Sequence, residues 1–480
     1  MNFFINKAMG IGNSGVEHAQ FYRAKCFDLV NLPYKFVFME LVKNLHEAMY
    51  SWGIKENQVI NIWEFFVLGD SYLFEGIREK DEPHDDLLID FSNTHRVKET
   101  ITSSGLLIRE HLEKSPNKKD SKTLLVSNFK TEIYNHKTLE KKIMFELLEI
   151  PNRGRVLSNI HIYNFNGQHL FFRNEVLFQR YFLTYLASKF EGANTFFIDR
   201  GEETEAALFY HKPKDTKIVE LIHADHLSDR DEISAPLWNN YYEYLLTHLD
   251  SVDKLVVATK LQREDLLLDF PSEADKIVAI PVGGINDIDY DKIGAVKKEN
   301  LRKFVTASRL ASEKHLDIVI KAIAKAHQIY PEITLDIYGQ GGEAQLLRKV
   351  IEELDAESYI KLRGHSNTIE AEFLNYDAFI TGSFSEGFGL TYIEALNANL
   401  PIVTFRARFG AMELVKDGIN GVVKDFSRVD TNFNVNSLTD GILELLEMDT
   451  ETLLKYIRPS VHEFQDSVIA NQWKEFVNEL

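Results

Sequence analysis

The stretch Ser385-Glu-Gly-Phe-Gly-Leu-Thr-Tyr-Ile-Glu394 decides the fold class. It follows a short apolar run that ends near Thr381, and a helical pattern begins at about Leu390. Gly387 and Gly389 allow a backbone to come close to a ligand, and the free N–H groups at a helix start bind anions. This order of strand, glycine loop and helix predicts a phosphate-binding turn in a parallel α/β sheet, with a carboxylate on each side of the helix start.

The same alternation extends through the C-terminal section. Short apolar or β-branched runs are separated by helical patterns such as His315–Ile329 and Leu390–Ala398. Parallel strands must be joined by crossover helices, so this alternation predicts a doubly wound sheet. The predicted strands are Phe304–Ser308, Thr334–Tyr338, Tyr359–Arg363, Ala378–Thr381, Pro401–Phe405 and Gly421–Lys424.

The N-terminal half begins with the same kind of unit. The glycine-rich loop Gly10-Ile-Gly-Asn-Ser-Gly15 lies between a strand-like run, Asn2–Asn6, and a helical pattern, Val16–Val30. A second strand pattern follows, which indicates the opening of a parallel sheet. The later strands of this sheet are expected after a long interruption. The remaining predicted strands are Tyr34–Met39, Thr195–Asp199, Lys217–His223, Lys254–Thr259 and Ile277–Val282.

The interruption alternates polar and apolar residues and therefore predicts an antiparallel sheet. Asn166-Gly167 is a strong hairpin sequence because both residues tolerate positive φ. The run Glu75–His95 is polar and is expected to be a connection. The predicted strand segments are Lys122–Phe129, Lys130–His136, Lys142–Glu149, Ile160–Phe165 and His169–Arg173.

The expected fold is thus α/β, with two doubly wound Rossmann-like domains and an antiparallel β-sheet domain inserted in the first. Asp287–Asn300 is polar and is the expected linker. The predicted boundaries are 1–64 and 186–290 for the N-terminal domain, 65–185 for the insert, 291–455 for the nucleotide-sugar-binding domain, and 456–480 for a C-terminal helical segment that packs back on the N-terminal domain.

Composition excludes several classes of function. The 480 residues carry 54 Lys and Arg against 73 Asp and Glu, a formal charge of −19. A general nucleic-acid binder needs a basic footprint, and an anionic membrane attracts polybasic segments. Cys26 is the one cysteine, so no internal disulfide can form. The start lacks a signal-peptide pattern, and no apolar run is long enough to span a bilayer. A cytoplasmic protein is expected, with at most peripheral association at the inner face of the cell membrane.

A second chemical element follows the first strand of the C-terminal section, in Thr306-Ala-Ser-Arg-Leu-Ala-Ser-Glu-Lys-His315. Arg309 and Lys314 are five residues apart across a loop, so both can point at one diphosphate. A single Glu at a helix start is usually a capping residue, and a single Arg after a strand is usually a surface charge. Both elements lie at strand ends of one domain, and this favours a nucleotide-sugar site formed with Glu386 and Glu394.

Glu386, the seven residues that follow it, Glu394 and the Arg309/Lys314 pair resemble the retaining glycosyltransferases of family 4, which have the two-domain GT-B fold. The segments 222–226 and 237–242, and the opening 10–23, resemble more closely the glycosyltransferase A group of bacterial accessory secretion loci. These enzymes attach N-acetylglucosamine to Ser and Thr of serine-rich adhesins and carry an inserted β-rich domain. The teichoic-acid α-glycosyltransferases are a sister group with the same insert. The insert, residues 65–185, is expected either to bind an extended acceptor chain by strand addition or to form an oligomerisation surface.

The resemblance implies the roles of single residues. Catalytic contributions are implied for Glu386, His223, Arg309 and Lys314. Arg309 and Lys314 would hold the diphosphate, Glu386 and His223 would contact the donor sugar, and Glu394 would bind the ribose. The donor-binding set is completed by the loop at Gly15, the uracil-binding turn at His365, and the glycine-loop residues Gly387, Phe388, Gly389 and Leu390.

The resemblance also implies that the UDP-sugar reacts without a metal or other cofactor, because Arg and Lys replace the cation. Asp225 and His226 lie near His223, but the sequence offers no complete metal-ligand set, and a packed histidine is the plain interpretation of His226. Retention of configuration follows from the family and not from residue spacing. The expected partners are a serine-rich or Ser-Asp-repeat acceptor protein, a paralogous subunit and a second copy of the chain, but no nucleic acid.

Three other interpretations remain. Gly10-x-Gly12-x-x-Gly15 matches the dinucleotide-binding fingerprint, with Glu40 after the second strand, so an NAD-dependent enzyme is a rival. A teichoic-acid acceptor is a polyanion and would need a basic patch, for which Lys114–Lys122 and Lys137–Lys142 are candidates. The third alternative is an inactive adhesin-binding partner subunit, which we expect to have lost part of the phosphate and carboxylate set. The sequence does not distinguish N-acetylglucosamine from glucose as the donor sugar.

Overall fold

The structure is a computed structural model that describes residues 1–11, 15–90, 95–117, 122–151, 154–229, 234–287 and 300–480. The contacts divide the chain into two compact units. The first contains residues 1–20, 31–221 and 244–254. The second contains residues 21–30, 222–243 and 255–480.

The opening of the chain forms the first strands of a parallel sheet. Strand β1 is buried along its whole length, as expected for a central strand covered on both faces. It pairs in parallel with β2, and β2 pairs in parallel with β3. The strands are β1 (Asn2–Asn6), β2 (Tyr34–Phe38) and β3 (Val59–Asn61), and the helices are α1 (Gly15–Leu29), α2 (Leu45–Ser51), α3 (Ile62–Leu68) and α4 (Tyr72–Glu75).

The predicted insert is an antiparallel sheet, with seven strands among the described residues in the order β10-β9-β8-β7-β6-β5-β4. One face is buried: Trp63 of α3 contacts the ring of Phe145 at 4.9 Å and that of Phe178 at 5.0 Å between centroids. The elements are β4 (His84–Asp90), β5 (His95–Ile101), β6 (Leu106–Pro116), β7 (Leu124–Asn135), β8 (Lys141–Ile150), β9 (Gly154–Phe165), β10 (Gln168–Asn174) and the helix α5 (Glu175–Lys189).

The hairpin at Asn166-Gly167 is confirmed, with φ of 51° and 77° at the two residues. Two other expectations for the insert are wrong. The polar run Glu75–His95 is not only a connection, because β4 lies within it and pairs with β5 at the edge of the sheet. The segments Lys122–Phe129 and Lys130–His136 are parts of one long strand, β7. An edge strand has a solvated side and can be polar, which explains why β4 is not recognisable as a strand.

After the insert, the parallel sheet of the first unit continues with β11 (Asn194–Ile198) and β12 (Thr216–Ile222). These two strands pair in parallel, and β11 also pairs with β1. The strand order in this unit is therefore β12-β11-β1-β2-β3. Helix α6 (Glu202–Phe209) follows β11, and α7 (Glu243–Thr247) precedes the strand β15 (Lys254–Val257).

The second unit contains a parallel sheet with the order β19-β18-β17-β20-β22-β24. The amphipathic helix α9 (Leu316–Ile329) buries most of its apolar residues, and α14 (Thr431–Glu447) packs beside it. The predicted doubly wound pattern is thus confirmed. The strands of this sheet are β17 (Lys303–Ala307), β18 (Thr334–Tyr338), β19 (Ile360–Gly364), β20 (Ala378–Ile380), β22 (Ile402–Phe405) and β24 (Gly421–Lys424).

Further strand pairings in the second unit are β13 with β14, β15 with β16, and β21 with β23. Their bounds are β13 (Leu227–Asp229), β14 (Leu237–Trp238), β15 (Lys254–Val257), β16 (Ile277–Ala279), β21 (Ser385–Glu386) and β23 (Arg408–Phe409). The helices are α8 (Lys260–Asp269), α9 (Leu316–Ile329), α10 (Ala344–Glu353), α11 (Ile369–Phe373), α12 (Leu390–Asn397), α13 (Gly410–Leu414), α14 (Thr431–Glu447), α15 (Thr450–Ile457) and α16 (Asp466–Glu479).

The C-terminal helix α16 is joined to α1 by polar contacts within the second unit. The Asp466 carboxylate accepts hydrogen bonds from the Tyr22 hydroxyl at 2.8 Å and from the Lys25 ammonium at 2.6 Å. Most of the expected linker, residues 288–299, lies outside the described residues, as do residues 12–14 of the glycine-rich loop.

Candidate functional site

The loop that carries Arg309 follows β17 and is held by a glycine turn after β18. Gly339 and Gly341 lie so close to the carbonyl oxygens of Ser308 and Leu310 that a Cβ at either glycine would overlap them. The Leu310 N–H also donates to the Gln340 carbonyl at 3.0 Å. No sequence motif singled out these two glycines as site residues. Their spacing after a predicted strand is the signal that could have identified them.

The structure brings together Lys314 and Glu386, two of the predicted site residues. The Lys314 Nζ lies 2.5 Å from Glu386 Oε1, and the two side chains are only 18% and 16% exposed. His315, the next residue after the lysine, has a φ of 45° and stacks its ring on Phe384 at 3.8 Å between centroids. Because Phe384 precedes the Glu386 strand by one residue, this stacking ties the lysine segment to the carboxylate segment.

Arg309 belongs to the same loop but has a different partner in the structure. Its Nη2 lies 2.8 Å from Glu313 Oε1, and both side chains are mostly exposed. An exposed i,i+4 pair of this kind contributes little to stability. The guanidinium can therefore exchange Glu313 for a phosphate at small cost.

The glycine loop between β21 and α12 has a narrow backbone path. Gly389 has a φ of 89° and caps α12, which begins at Leu390 as predicted. A Cβ at Gly387 would lie 2.7 Å from the carbonyl oxygen of His223. Phe388 between them is buried, and its carbonyl packs against Gly410. The loop therefore has little freedom, and its N–H groups have a fixed direction at the helix start.

Glu394 lies in α12, one turn beyond this loop. Burial and, to a smaller extent, the charge of Glu370 raise the pKa of the Glu394 carboxyl to about 8. Near neutral pH the carboxyl is therefore mostly protonated and can both donate and accept hydrogen bonds. Such a group suits the hydroxyls of a ribose.

The turn that carries His223 belongs to the second unit, as does Glu386. The Tyr242 hydroxyl accepts hydrogen bonds from the backbone N–H groups of His223 and Ala224, both at 3.1 Å. Gln262 donates to the Ala224 carbonyl at 2.8 Å. The contact with Gly387 brings this turn against the glycine loop, so the predicted donor-sugar histidine and Glu386 lie on adjoining segments.

His226 is fully buried and stacks on the ring of Phe409, 5.5 Å away with 12° between the planes. Its Nε2 lies 3.3 Å from Asp265 Oδ1. This environment agrees with the packed histidine that the sequence suggests. In the part of the chain that the structure describes, no group of three or more His, Cys, Asp or Glu side chains is arranged to hold a metal.

Two predicted donor-binding positions lie apart from these contacts. His365 follows β19, is exposed, and pairs its Nε2 with Asn367 Oδ1 at 2.9 Å. The Gly364 carbonyl of the same turn accepts the Gly339 N–H at 2.8 Å, so this turn adjoins the glycine turn behind Arg309. Gly15 is the first residue of α1 and belongs to the first unit.

No helix formed by the described residues has the length and apolar character needed to cross a bilayer.

Known proteins resemble both the sequence and the fold. The family described as glycosyl transferases group 1 matches residues 288–459. The chain is 31% identical over 457 residues to the UDP-N-acetylglucosamine–peptide N-acetylglucosaminyltransferase GtfA subunit of Streptococcus gordonii, and the match covers 87% of this chain and 86% of that protein. The crystal structure of the pneumococcal O-GlcNAc transferase GtfA in complex with UDP and GlcNAc has a TM-score of 0.77 at 27% identity and covers 100% of this chain and 98% of that one.

A crystal structure of a GtfA/B complex matches with the same TM-score, 0.77, at 25% identity, and covers 100% of this chain and 99% of that one. These matches favour the glycosyltransferase over the dehydrogenase that the Gly10–Gly15 fingerprint suggests. Because the sequence match to the S. gordonii subunit extends over most of both chains, the protein belongs to the family of UDP-N-acetylglucosamine–peptide N-acetylglucosaminyltransferase GtfA subunits and is a glycosyltransferase with the GT-B fold.

Proposed function

We propose that this enzyme transfers N-acetylglucosamine from UDP-N-acetylglucosamine to Ser and Thr hydroxyls of a serine-rich bacterial surface protein, with retention of configuration. The observation that carries the proposal is the mostly buried pair of Lys314 and Glu386, 2.5 Å apart, on the segments that follow β17 and β20, two paired strands of one sheet. It provides one cation for a diphosphate and one carboxylate for a sugar within a single contact.

The donor is bound by groups of opposite character. Lys314 and Arg309 hold the diphosphate, and their charges stabilise the negative charge that grows on the leaving UDP. Glu386 and His223 bind hydroxyls of the donor sugar, while the N–H groups after Gly387 contact phosphate or sugar. Glu394 binds the ribose and the His365 turn binds the uracil. The two cations replace a metal ion, so we propose that transfer needs no metal.

The transfer step exchanges two bonds at the anomeric carbon. The bond from this carbon to the phosphate oxygen breaks, and a bond to the acceptor hydroxyl oxygen forms on the same face of the sugar. The hydroxyl proton passes to the departing phosphate. Charge on that phosphate is shared with Lys314 and Arg309, so the same cations that hold the donor also stabilise the leaving group.

The choice of acceptor follows from the relatives and from the charges of the insert. The S. gordonii and pneumococcal relatives are named as peptide or O-GlcNAc transferases. A polyol-phosphate acceptor would need uncompensated cations. The three lysines of the 137–142 segment are matched by as many carboxylates, so these groups together carry no net positive charge that would attract a polyanion. Lys137 pairs with Glu79 at 2.6 Å, Lys141 with Glu132 at 2.8 Å, and Lys142 with Glu140 at 2.8 Å. Residues 118–121 of the other lysine segment lie outside the described residues.

The insert is the proposed acceptor-binding domain. Its edge strands, β10 and β4, offer backbone groups to which an extended Ser-rich or Ser-Asp-repeat chain can add as a further strand. We also propose that the enzyme works in the cytoplasm. A paralogous subunit is its proposed partner, because a related chain is known from a GtfA/B complex. Co-expression with a neighbouring paralogue followed by size-exclusion chromatography tests this second point.

The experiment that tests the function presents purified enzyme with a panel of UDP-sugars, in the presence of EDTA, and with either a Ser-rich polypeptide or a polyol-phosphate. We expect one product, an N-acetylhexosamine-modified polypeptide identified by mass spectrometry. Modification of the polyol-phosphate alone would show a teichoic-acid enzyme. A strict requirement for UDP-glucose would overturn the proposed donor, and loss of transfer in EDTA would overturn the metal-free mechanism.

A further inference from the structure

One buried carboxylate joins the His223 turn to the Glu386 strand. Asp225 Oδ2 lies 3.3 Å from Arg408 Nη2 and accepts a hydrogen bond from the Ser385 hydroxyl at 3.4 Å. Ser385 and Arg408 are directly paired across β21 and β23, so their side chains approach Asp225 from the same side. The Asp225 side chain is only 10% exposed.

The two segments joined by this carboxylate carry the two proposed sugar ligands. His223 precedes Asp225 by two residues, and Glu386 follows Ser385 directly. The segments meet through backbone, since the carbonyl of His223 rests against Gly387. The backbone contact fixes how close the segments come, and the ion pair resists their separation.

The His223 turn has other supports that do not involve Arg408. The Tyr242 hydroxyl holds the N–H groups of His223 and Ala224, and the Asn239 N–H donates to the His226 carbonyl at 2.8 Å. Asp225 Oδ1 separately accepts the Leu227 N–H at 3.0 Å. The turn therefore keeps its shape without the ion pair. Its spacing from the Glu386 strand is held by the ion pair together with the stacking of His226 on Phe409, which is paired with Glu386.

We propose that Asp225 and Arg408 are positioning residues that set the distance between His223 and Glu386 around the donor sugar. This inference rests on the proposed function. Three proposed ligands of UDP itself, Arg309, Lys314 and the His365 turn, lie on other segments. Loss of the ion pair should therefore slow sugar transfer while UDP binding is unchanged, a combination that general destabilisation would not produce.

Asp225→Asn is the sharpest perturbation. Its amide oxygen must face the Leu227 N–H to keep that hydrogen bond, and this orientation turns the amide NH2 toward Arg408. The substitution thus replaces an ion pair by two hydrogen-bond donors that face each other, while the side-chain volume stays nearly constant. The matched control is Asp425→Asn, which breaks the Arg406–Asp425 pair, 2.8 Å apart and exposed in the same unit.

The experiment measures kcat and KM for transfer from UDP-N-acetylglucosamine to a Ser-rich polypeptide, UDP affinity by calorimetry, and the melting temperature. For Asp225→Asn we expect kcat to fall roughly 10- to 100-fold, the range for a misplacement of about 1 Å. The UDP affinity of Asp225→Asn should stay within roughly twofold of the wild-type value. The control variant Asp425→Asn should match the wild type in kcat and in UDP affinity. Arg408→Lys keeps the charge, so its kcat should fall less than that of Arg408→Gln. The comparison of these two variants tests the inference even if Asp225→Asn does not fold.

A double variant provides the second criterion. Asp225→Asn with Arg408→Gln should be no more than roughly twofold slower than the slower single variant, because residues in one ion pair are not additive. Wild-type kcat in Asp225→Asn and Arg408→Gln, or a parallel loss of UDP affinity, overturns the inference while the proposed function stands. A wild-type enzyme that modifies no polypeptide overturns the proposed function itself.

Discussion

Replacing Glu394 by Gln should stabilise the free enzyme at neutral pH. The pKa of the Glu394 carboxyl is raised from 4.5 to about 8, first by burial and then by Glu370. The folded state therefore keeps a proton that the unfolded chain releases above pH 4.5, so this carboxyl lowers stability as the pH rises from about 4.5 to about 8. At pH 7 the pH lies about 2.5 units above the pKa of the unfolded chain, and each unit corresponds to about 1.4 kcal/mol. The Glu394 carboxyl therefore lowers the free energy of unfolding by about 3 kcal/mol at this pH.

A glutamine side chain at this position cannot ionise in either state, so Glu394→Gln removes this cost. We expect the variant to gain about 3 kcal/mol in free energy of unfolding at pH 7 and only about 0.4 kcal/mol at pH 4.5, where half of the unfolded chains are ionised. Urea unfolding at the two pH values, followed in the wild type and in Glu394→Gln, measures the difference. Glu352→Gln, an exposed position in the same unit, should leave the free energy of unfolding unchanged at both pH values.

The same substitution tests the proposed ribose contact. Gln keeps one donor and one acceptor, as the protonated carboxyl does, so UDP affinity at pH 7 should fall less in Glu394→Gln than in Glu394→Ala. A stability difference between Glu394→Gln and the wild type that is the same at pH 4.5 and pH 7 would refute the assigned protonation state. Equal UDP affinity in all three proteins would refute the contact.

Three further predictions concern other residues. Arg309→Lys should lower kcat roughly tenfold or more in the transfer assay, because a point charge cannot replace the two-pronged guanidinium; an unchanged kcat contradicts its role. Burial opposes the charge on His46, but hydrogen bonds to Glu56 and Glu64 raise its pKa from 6.5 to about 9. The stability it provides is therefore complete below pH 6.5 and lost as the pH rises through about 9, and unfolding of His46→Gln beside the wild type should show a difference that disappears above that pH. Gly339→Ala should displace the Arg309 loop, since a Cβ overlaps a backbone carbonyl, and UDP titration should show weaker binding; wild-type affinity would contradict this.

The strands of both parallel sheets could be predicted because their residues are apolar on both faces. The strand β1, with its run of Phe3, Phe4 and Ile5, is an example in which burial leaves a continuous apolar sequence. The hairpin at Asn166-Gly167 could also be predicted, because a tight turn requires residues that tolerate positive φ. The strand β4 could not be predicted, since an edge strand need not be apolar.

The candidate site, too, could be predicted only in part. Lys314 and Glu386 could be paired from sequence, because strand ends of one parallel sheet meet at one edge. The packing of Gly339 on Ser308 and the link between Asp225 and Arg408 depend on how separate segments meet in space. Neither follows from local spacing, since a glycine after a strand or a single ion pair has many meanings in a sequence. The roles of the site residues in transfer remain predictions.

We propose that Ser and Thr hydroxyls of a polypeptide accept N-acetylglucosamine from UDP-N-acetylglucosamine at the Lys314–Glu386 site. The most direct test is the intact mass of a Ser-rich polypeptide after incubation with enzyme and donor, beside the same polypeptide with Ser and Thr replaced by Ala. Mass additions of N-acetylhexosamine on the first substrate only, absent with Glu386→Gln, are the predicted result. Equal modification of both polypeptides, or undiminished transfer by Glu386→Gln, would contradict the account.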